Sequence, residues 1–175
     1  MASFDDTMRR LGAFPILPAT RRDPTPADLA AFEEQIGGRL PDDYREFLLK
    51  HGRMGLSTQP RFRLAEPSPL GETGSVSELL GFSTRPEHSI VGLTMDTYAG
   101  RIPDPTIPIA RDPGGNLVLL GFEGPYARKV YYWDQQQRPF DGRPAPLPRF
   151  EHVYRITDGF TRFLEGLEPD PRYVE

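Results

Sequence analysis

The side chains that most often perform chemistry are few in this sequence and lie far apart. The three histidines, His51, His88 and His152, show no H-E-x-x-H or similar spacing, so there is no zinc motif. The lack of cysteine excludes thiolate metal sites, disulfides and a cysteine nucleophile. The G-x-S-x-G motif of serine hydrolases is also absent. The sequence therefore predicts no metal, no cofactor and no catalytic turnover.

The segment 112–116, DPGGN, has two more specific interpretations. Its glycines could hold a phosphate, and the oxygens of Asp112 and Asn116 could bind calcium. A phosphate loop would lead into a helix, whereas this segment joins two apolar runs that resemble strands. A calcium loop would need more oxygen ligands and a terminal bidentate acid. Because all of these residue types favour turns, we predict a hairpin turn instead.

Three aspartates lie in predicted loops or at the ends of predicted strands: Asp96, Asp104 and Asp134. They either converge in space or remain separate, solvated acids. A catalytic acid–base pair depends on geometry that a sequence does not show. Solvated loop acids are the simpler interpretation.

Aromatic residues are concentrated near the predicted strands. In the segment 129–133, KVYYW, strand alternation places Val130 and Tyr132 on one face of the sheet and Tyr131 and Trp133 on the other. One of these faces must belong to the core. The other, if nothing covers it, would be an aromatic patch of the kind enriched at protein interfaces. The sequence leaves packing and binding as equal alternatives for that face.

Two helices near the N-terminus form the clearest pattern. Thr25 can cap the first helix, which ends at the glycine pair 37–38. The second helix begins with Asp42 and Asp43, which suit the positive end of its dipole. Apolar residues at helical spacing predict a buried face made of Leu29, Phe32, Ile36, Tyr44, Phe47 and Leu48.

Strands dominate the middle of the chain. Apolar runs at 106–110, 116–122 and 129–133 are separated by turn residues and predict a three-stranded antiparallel meander. We predict an edge strand at 151–156 and a last helix capped by Thr157. Helices at both ends of a central run of strands indicate an α+β fold.

Residues 29–52 resemble the opening of the SUKH superfamily, which contains fungal cell-wall-assembly regulators and many bacterial toxin-immunity proteins. The resemblance lies in the patterns L-x-x-F-E-E-x-x-G and L-P-x-D-Y-x-E-F-L-L-x-x-G. The later segments IPIARDPGGNLVLLGF, KVYYWD and FTRFLEGL are similar to the family as well. The resemblance implies a curved, mostly antiparallel sheet with an N-terminal helix pair and a C-terminal helix packed on one side.

At 175 residues, of which 26% are charged, the chain fits a single soluble domain. We divide it into an N-terminal arm at 1–22, a SUKH-like domain at 23–168 and a C-terminal tail at 169–175. The arm either packs on the domain or frays from it. A proline-rich surface loop is predicted at 135–149. No apolar run has the length of a membrane span and no signal-peptide core is present, so we expect a cytoplasmic protein without membrane contact.

The resemblance implies a non-catalytic, protein-binding function: an immunity protein that neutralises a cognate toxin, often a nuclease, of a bacterial polymorphic toxin system. The alternatives are a regulatory or scaffold module of the cell-wall-assembly-regulator type and an enzyme with an unfamiliar carboxylate site. The net charge of −4 does not suggest a nucleic-acid binder and suits a basic protein partner. We expect a basic toxin domain to bind acidic and aromatic loops at one end of the sheet. The candidate residues are Asp96, Tyr98, Asp104, Glu123, Tyr126, Trp133 and Asp134.

Overall fold

The computed structural model describes residues 2–69, 71–135 and 152–175, and its largest element is an antiparallel sheet of seven strands. In spatial order the strands are β1 (Ala13–Pro15), β2 (Met54–Leu56), β5 (Glu78–Leu79), β6 (Thr106–Arg111), β7 (Leu117–Gly121), β8 (Lys129–Trp133) and β9 (Val153–Asp158). Two further strands, β3 (Arg61–Ser68) and β4 (Gly71–Ser75), form a separate antiparallel pair. The predicted meander is confirmed as β6, β7 and β8, and β9 lies at the edge of the sheet as expected.

The helices are short, and most lie near the ends of the chain. They are α1 (Phe4–Arg10), α2 (Pro26–Ile36), α3 (Asp42–Lys50), α4 (Ile90–Gly92) and α5 (Phe160–Glu165). A π-helical turn, Leu93–Thr97, continues from α4. Together with the sheet, these helices confirm the α+β fold. Within the described part of the chain, no helix is long and apolar enough to cross a membrane.

Local hydrogen bonds explain why α2 and α3 form where the sequence predicts them. The Thr25 hydroxyl accepts from the backbone N–H of Asp28, and the Asp28 carboxylate accepts from the backbone N–H of Thr25, which is a complete capping box. Gly37 ends the helix with φ of 72°, a left-handed conformation that glycine adopts without steric cost. The Glu33 carboxylate then accepts from the backbone N–H of Leu40 and pairs with Arg45, which links the two helices.

The main core lies between the helices and one face of the sheet. Val118, Leu120, Val130 and Tyr132 point into it from β7 and β8, as strand alternation requires. The helices contribute the buried residues Met8, Leu29, Phe32, Tyr44, Phe47, Leu48, Phe160, Phe163 and Leu164. Ile36 is only partly buried, which differs from the predicted helix face.

The opposite face of the sheet is covered too, which shows that Trp133 serves packing. Leu117, Leu119 and Trp133 point to that face and form a second apolar cluster. The segment from Leu93 to Ile102 packs over them. This face is therefore core around Trp133, whereas Tyr131 on the same face packs against the cluster and stays partly exposed.

The N-terminal arm packs on the domain. In α1 the side chain of Met8 is buried, and Leu11 just after the helix is fully buried. The strand β1 then pairs with β2 at the edge of the main sheet. Residues 4–15 are therefore part of the same core and the same sheet as the rest of the chain.

The start of α5 differs from the prediction. Thr157 belongs to β9, where it pairs with Val130, and α5 begins after Gly159 without a cap from its own segment. The predicted cap at Thr157 is therefore wrong, since the strand continues through that residue. The loop predicted at 135–149 lies outside the described residues except for Gln135.

Candidate functional site

The register of the meander separates Asp104 and Glu123 from Trp133 and Asp134. Thr106 pairs with Gly121 at one end of β6 and β7, and Leu117 pairs with Trp133 at the other end of β7 and β8. Asp104 and Glu123 adjoin the first end, whereas Asp134 follows the second. At about 3.3 Å per residue, a five-residue strand places these ends more than ~10 Å apart. The residues therefore do not form one surface at one end of the sheet, which corrects the expectation from the sequence.

Two of the aromatic candidates are core residues. Trp133 is fully buried and Tyr98 is 8% exposed. Their rings meet edge to face, with centroids 6.2 Å apart and an interplanar angle of 87°. As folded, neither ring is available to a partner as an interface anchor. In this structure their contact packs the segment from Leu93 to Ile102 against the second face of the sheet.

Asp134 is also buried, with 3% of its surface exposed. Its backbone N–H donates to the carbonyl of His152, the residue directly before β9. A carboxylate that solvent hardly reaches cannot steer a diffusing partner as an exposed acid does. Asp134 therefore does not belong with the steering residues.

The remaining candidates are at the surface. Asp96, Asp104 and Glu123 are exposed, and none of them forms an ion pair with any residue that the structure describes. Tyr126 is half-buried in the turn between β7 and β8. We call Asp104, Glu123 and Tyr126 the turn surface. Arg128 follows the turn and is exposed as well, so a positive charge also lies beside the turn surface.

The backbone around the turn surface is tightly packed. The backbone N–H of Phe122 donates to the carbonyl of Pro105, which holds the segment after Asp104 beside the turn. A Cβ atom placed on Gly121 would lie 2.0 Å from the carbonyl oxygen of Tyr126. Glycine is therefore required at position 121 for the turn to fold back this closely.

A polar cleft of about 450 Å³ opens at the opposite end of the meander. Its residues include Asp112, Asn116, Tyr132, Asp134, Asp170 and Arg172. The Tyr132 hydroxyl donates to Asp112 Oδ2 over 2.7 Å, and Asn116 Nδ2 donates to the same oxygen over 3.1 Å. The backbone N–H of Asn116 donates to Asp112 Oδ1 over 2.8 Å. This network closes the predicted hairpin turn and ties it to β8.

Two ionisable groups of the cleft, Tyr132 and Asp170, have shifted pKa values. Burial, followed by the hydrogen bond to Asp112, raises the pKa of Tyr132, so its phenol stays protonated. Hydrogen bonds from the Arg172 guanidinium and backbone lower the pKa of Asp170 to about 2, so its carboxylate stays charged. Neither group is suited to exchange protons near neutral pH. Among the described residues, no group of three or more histidines and acids could hold a metal ion.

The sequence contains a signal for this network beyond the turn residues themselves. Asn116 immediately precedes β7, two residues before Val118, and Val118 pairs directly with Tyr132. Alternation therefore places Asn116 diagonally opposite Tyr132, within reach of a long side chain. The turn residues alone predict the hairpin. The contact of the Tyr132 phenol with that turn can be predicted only when the strand register is combined with alternation.

Comparison with known proteins gives two matches. Residues 23–166 match the SMI1 / KNR4 family (SUKH-1). The SPbeta prophage-derived uncharacterized protein YokK of Bacillus subtilis (strain 168) is 27% identical over 158 residues, which are 84% of this chain and 76% of that protein. No solved structure matches the chain. Because the family match spans most of its length, and because the fold agrees with the expected arrangement, the chain belongs to the SMI1 / KNR4 family (SUKH-1).

Proposed function

We propose that this protein is a non-catalytic immunity protein that binds and neutralises a cognate toxin domain. Membership of the SMI1 / KNR4 family supports a binding function. The relative in Bacillus subtilis is bacterial and prophage-derived, which favours a bacterial toxin–immunity role over a cell-wall regulatory one. The place of action is the cytoplasm, where such a toxin would reach its target.

The polar cleft supports a role without turnover. Asp112 accepts three hydrogen bonds from Asn116 and Tyr132, so its carboxylate is occupied by neighbours within the fold. Asp170 is held by Arg172 in the same way. A general base must be able to reach a substrate proton, and these carboxylates are committed to structural partners.

The observation that carries the proposal is a set of three exposed acids, two of which belong to the turn surface. Asp96, Asp104 and Glu123 face solvent without a basic partner in the described part of the chain. Unpaired surface acids attract a basic protein and raise its association rate. The net charge of −4 also favours association with a basic protein. The partner is therefore a basic toxin domain.

The first experiment measures association rates with the toxin domain encoded beside the gene of this protein. The double variant Asp104→Lys/Glu123→Lys should associate several-fold more slowly at about 0.1 M salt, where the Debye length is about 10 Å. The difference should shrink at about 1 M salt, where the Debye length is about 3 Å. The matched control is Glu46→Lys/Glu165→Lys, which reverses two exposed acids on helices and changes the net charge equally. Equal rates for both variants would overturn the turn surface as the steering site.

The second experiment tests the immunity role itself. Co-expression of the protein with that toxin domain should restore growth of a bacterial host. Absence of rescue, or the absence of any toxin gene beside this one, would overturn the immunity role and favour a scaffold role. A growth assay separates this outcome from a failure of the turn surface alone, because steering variants change rates without abolishing neutralisation at high expression.

A further inference from the structure

A groove of about 440 Å³ lies between the β3–β4 pair on one side and β9 and α5 on the other. It shares no residue with the turn surface. Its charged lining residues are Arg61, Arg63, Arg162 and Glu168. Its apolar lining residues are Phe62, Ile156, Phe163, Pro169 and Pro171. We call it the arginine groove.

The three arginines of the groove are exposed, and none of them forms an ion pair with an acid that the structure describes. Arg61 donates to the hydroxyl of Thr73 over 2.9 Å, and no described carboxylate forms an ion pair with Arg61, Arg63 or Arg162. Elsewhere in the described chain, arginines are commonly neutralised by acids. The paired arginines include Arg9, Arg21, Arg22, Arg39, Arg45, Arg53 and Arg172. The groove thus brings together three arginines without a described ion pair, on a chain with a net charge of −4.

Glu168 does not neutralise the cluster. It is exposed, and it contacts Arg61 through the main chain: the backbone N–H of each residue donates to the carbonyl of the other, over 2.8 and 2.9 Å. These bonds hold the C-terminal segment against the start of β3. The Glu168 side chain forms no ion pair with a described arginine. The position of Arg61 at the rim is thus set by backbone hydrogen bonds, while its exposed guanidinium donates to the neutral Thr73 hydroxyl and lies within electrostatic range of Asp170.

The base of the groove is apolar and rigid. The rings of Phe62 and Phe163 pack edge to face beneath it, with centroids 6.1 Å apart. Both are buried in the main core, so the base cannot shift without disturbing the fold. Pro169 and Pro171 add apolar surface that solvent reaches. A ligand of this groove therefore needs negative charge and apolar surface together.

We propose that the arginine groove binds an acidic segment of a protein partner, with carboxylates on Arg61, Arg63 and Arg162 and an apolar side chain against Pro169 and Pro171. Arginine matches carboxylates with paired hydrogen bonds, and charge complementarity selects the sign of the segment. A nucleic acid would offer negative charge as well. Its extended phosphate backbone would, however, meet the acidic remainder of the surface. The arginine groove thus binds an acidic segment, whereas the turn surface binds a basic domain.

The experiment pans a random-peptide phage library against the whole protein. The variant that removes the positive charge of the groove, called the groove variant, is Arg61→Glu/Arg63→Glu/Arg162→Glu. The control is Arg39→Glu/Arg85→Glu/Arg128→Glu, which reverses three exposed arginines outside the groove and has the same net charge. Peptides enriched on the wild type should be rich in Asp and Glu and contain apolar residues. By fluorescence anisotropy, they should bind the groove variant at least about tenfold more weakly than the control, because each lost charge-assisted bond weakens binding by about this factor.

Several outcomes would overturn the proposal. These are enrichment of basic or uncharged peptides, equal binding of acidic peptides to both variants, or no enrichment over the groove variant. A labelled single-stranded oligothymidine tests the other anionic ligand: if it binds the wild type and loses affinity only in the groove variant, nucleic acid replaces the peptide as occupant. Circular dichroism establishes that both triple variants fold. If the groove variant does not, the single variant Arg63→Glu and its control Arg85→Glu decide the same question.

Discussion

The carboxylate of Asp43 in α3 accepts two hydrogen bonds from Thr161 in α5, one from the backbone N–H over 3.0 Å and one from the hydroxyl over 2.9 Å. The first turn of any helix leaves backbone N–H groups without partners inside the helix. A residue from a distant helix therefore caps α5, in place of a residue from its own segment. This contact joins the N-terminal helix pair to the C-terminal helix.

Replacing Asp43 with alanine should lower the free energy of unfolding by about 2 kcal/mol, because the charged acceptor of both Thr161 hydrogen bonds and of one from the backbone N–H of Tyr44 is lost. The neighbouring variant Asp42→Ala is the control: among the described residues Asp42 pairs with Arg39 at an exposed site, and losing this pair should cost less than about 1 kcal/mol. Urea unfolding of both variants measures the difference. A double-mutant cycle with Thr161→Val should show coupling between the two sites. If the free-energy changes of Asp43→Ala and Thr161→Val simply add in the double variant, Asp43 does not cap α5.

Replacing Phe47 with alanine should lower the free energy of unfolding by about 3–5 kcal/mol. The Phe47 ring is buried and packs against Phe160 and Phe4, with centroids 5.0 and 5.8 Å away. The control is Leu49→Ala on the same helix, because Leu49 is 38% exposed and should change stability by about 0.5 kcal/mol or less. Thermal and urea unfolding test both variants. An unchanged melt for Phe47→Ala would contradict the packing of α3.

The fluorescence of Trp133 should report a dry environment, because it is the single tryptophan and is fully buried. We expect blue-shifted emission and weak quenching by acrylamide in the folded protein. Tyr98→Ala removes the ring that covers it and should increase quenching, whereas Tyr98→Phe keeps the ring and should not. Strong quenching in the wild type would mean that the second face of the sheet is open.

Stability should fall in mild acid in a way that depends on His51. Burial lowers the pKa of His51 from its usual value of 6.5, with the nearby Asp5 carboxylate opposing the shift. The imidazole stacks on Phe47, with ring centroids 5.1 Å apart. Because the folded state binds this proton less readily than the unfolded state, the contribution of His51 is present above the unfolded pKa. It is lost as the pH falls through the lower folded value.

The measurement compares urea unfolding of the wild type and His51→Gln at about pH 7.5 and about pH 5.5, the range in which histidine changes charge. The wild type should lose more stability than the variant between these conditions. Other titrating groups are common to both proteins and cancel in the comparison. A larger loss in the variant would mean that Asp5 dominates and that the shift has the opposite sign.

The sequence by itself determined the elements that depend on neighbouring residues. Thr25 and Asp28 cap α2 through bonds three residues apart, and Gly37 ends it through its own backbone freedom. Alternation in the meander correctly assigned Tyr132 and Trp133 to opposite faces. The patterns of residues 29–52 identified the family. Each of these features arises within a few residues, so a local pattern can reveal it.

Only the tertiary structure decided which surfaces are covered and which residues meet. Trp133 is buried because Tyr98, distant in sequence and without a periodic pattern around it, packs on its ring. Asp43 caps α5 because two helices from opposite ends of the chain pack together. The meander register places Asp134 and Glu123 at opposite ends, and it buries the first while exposing the second. Burial and long-range contacts depend on how whole elements pack, and that information is absent from any short stretch of the chain.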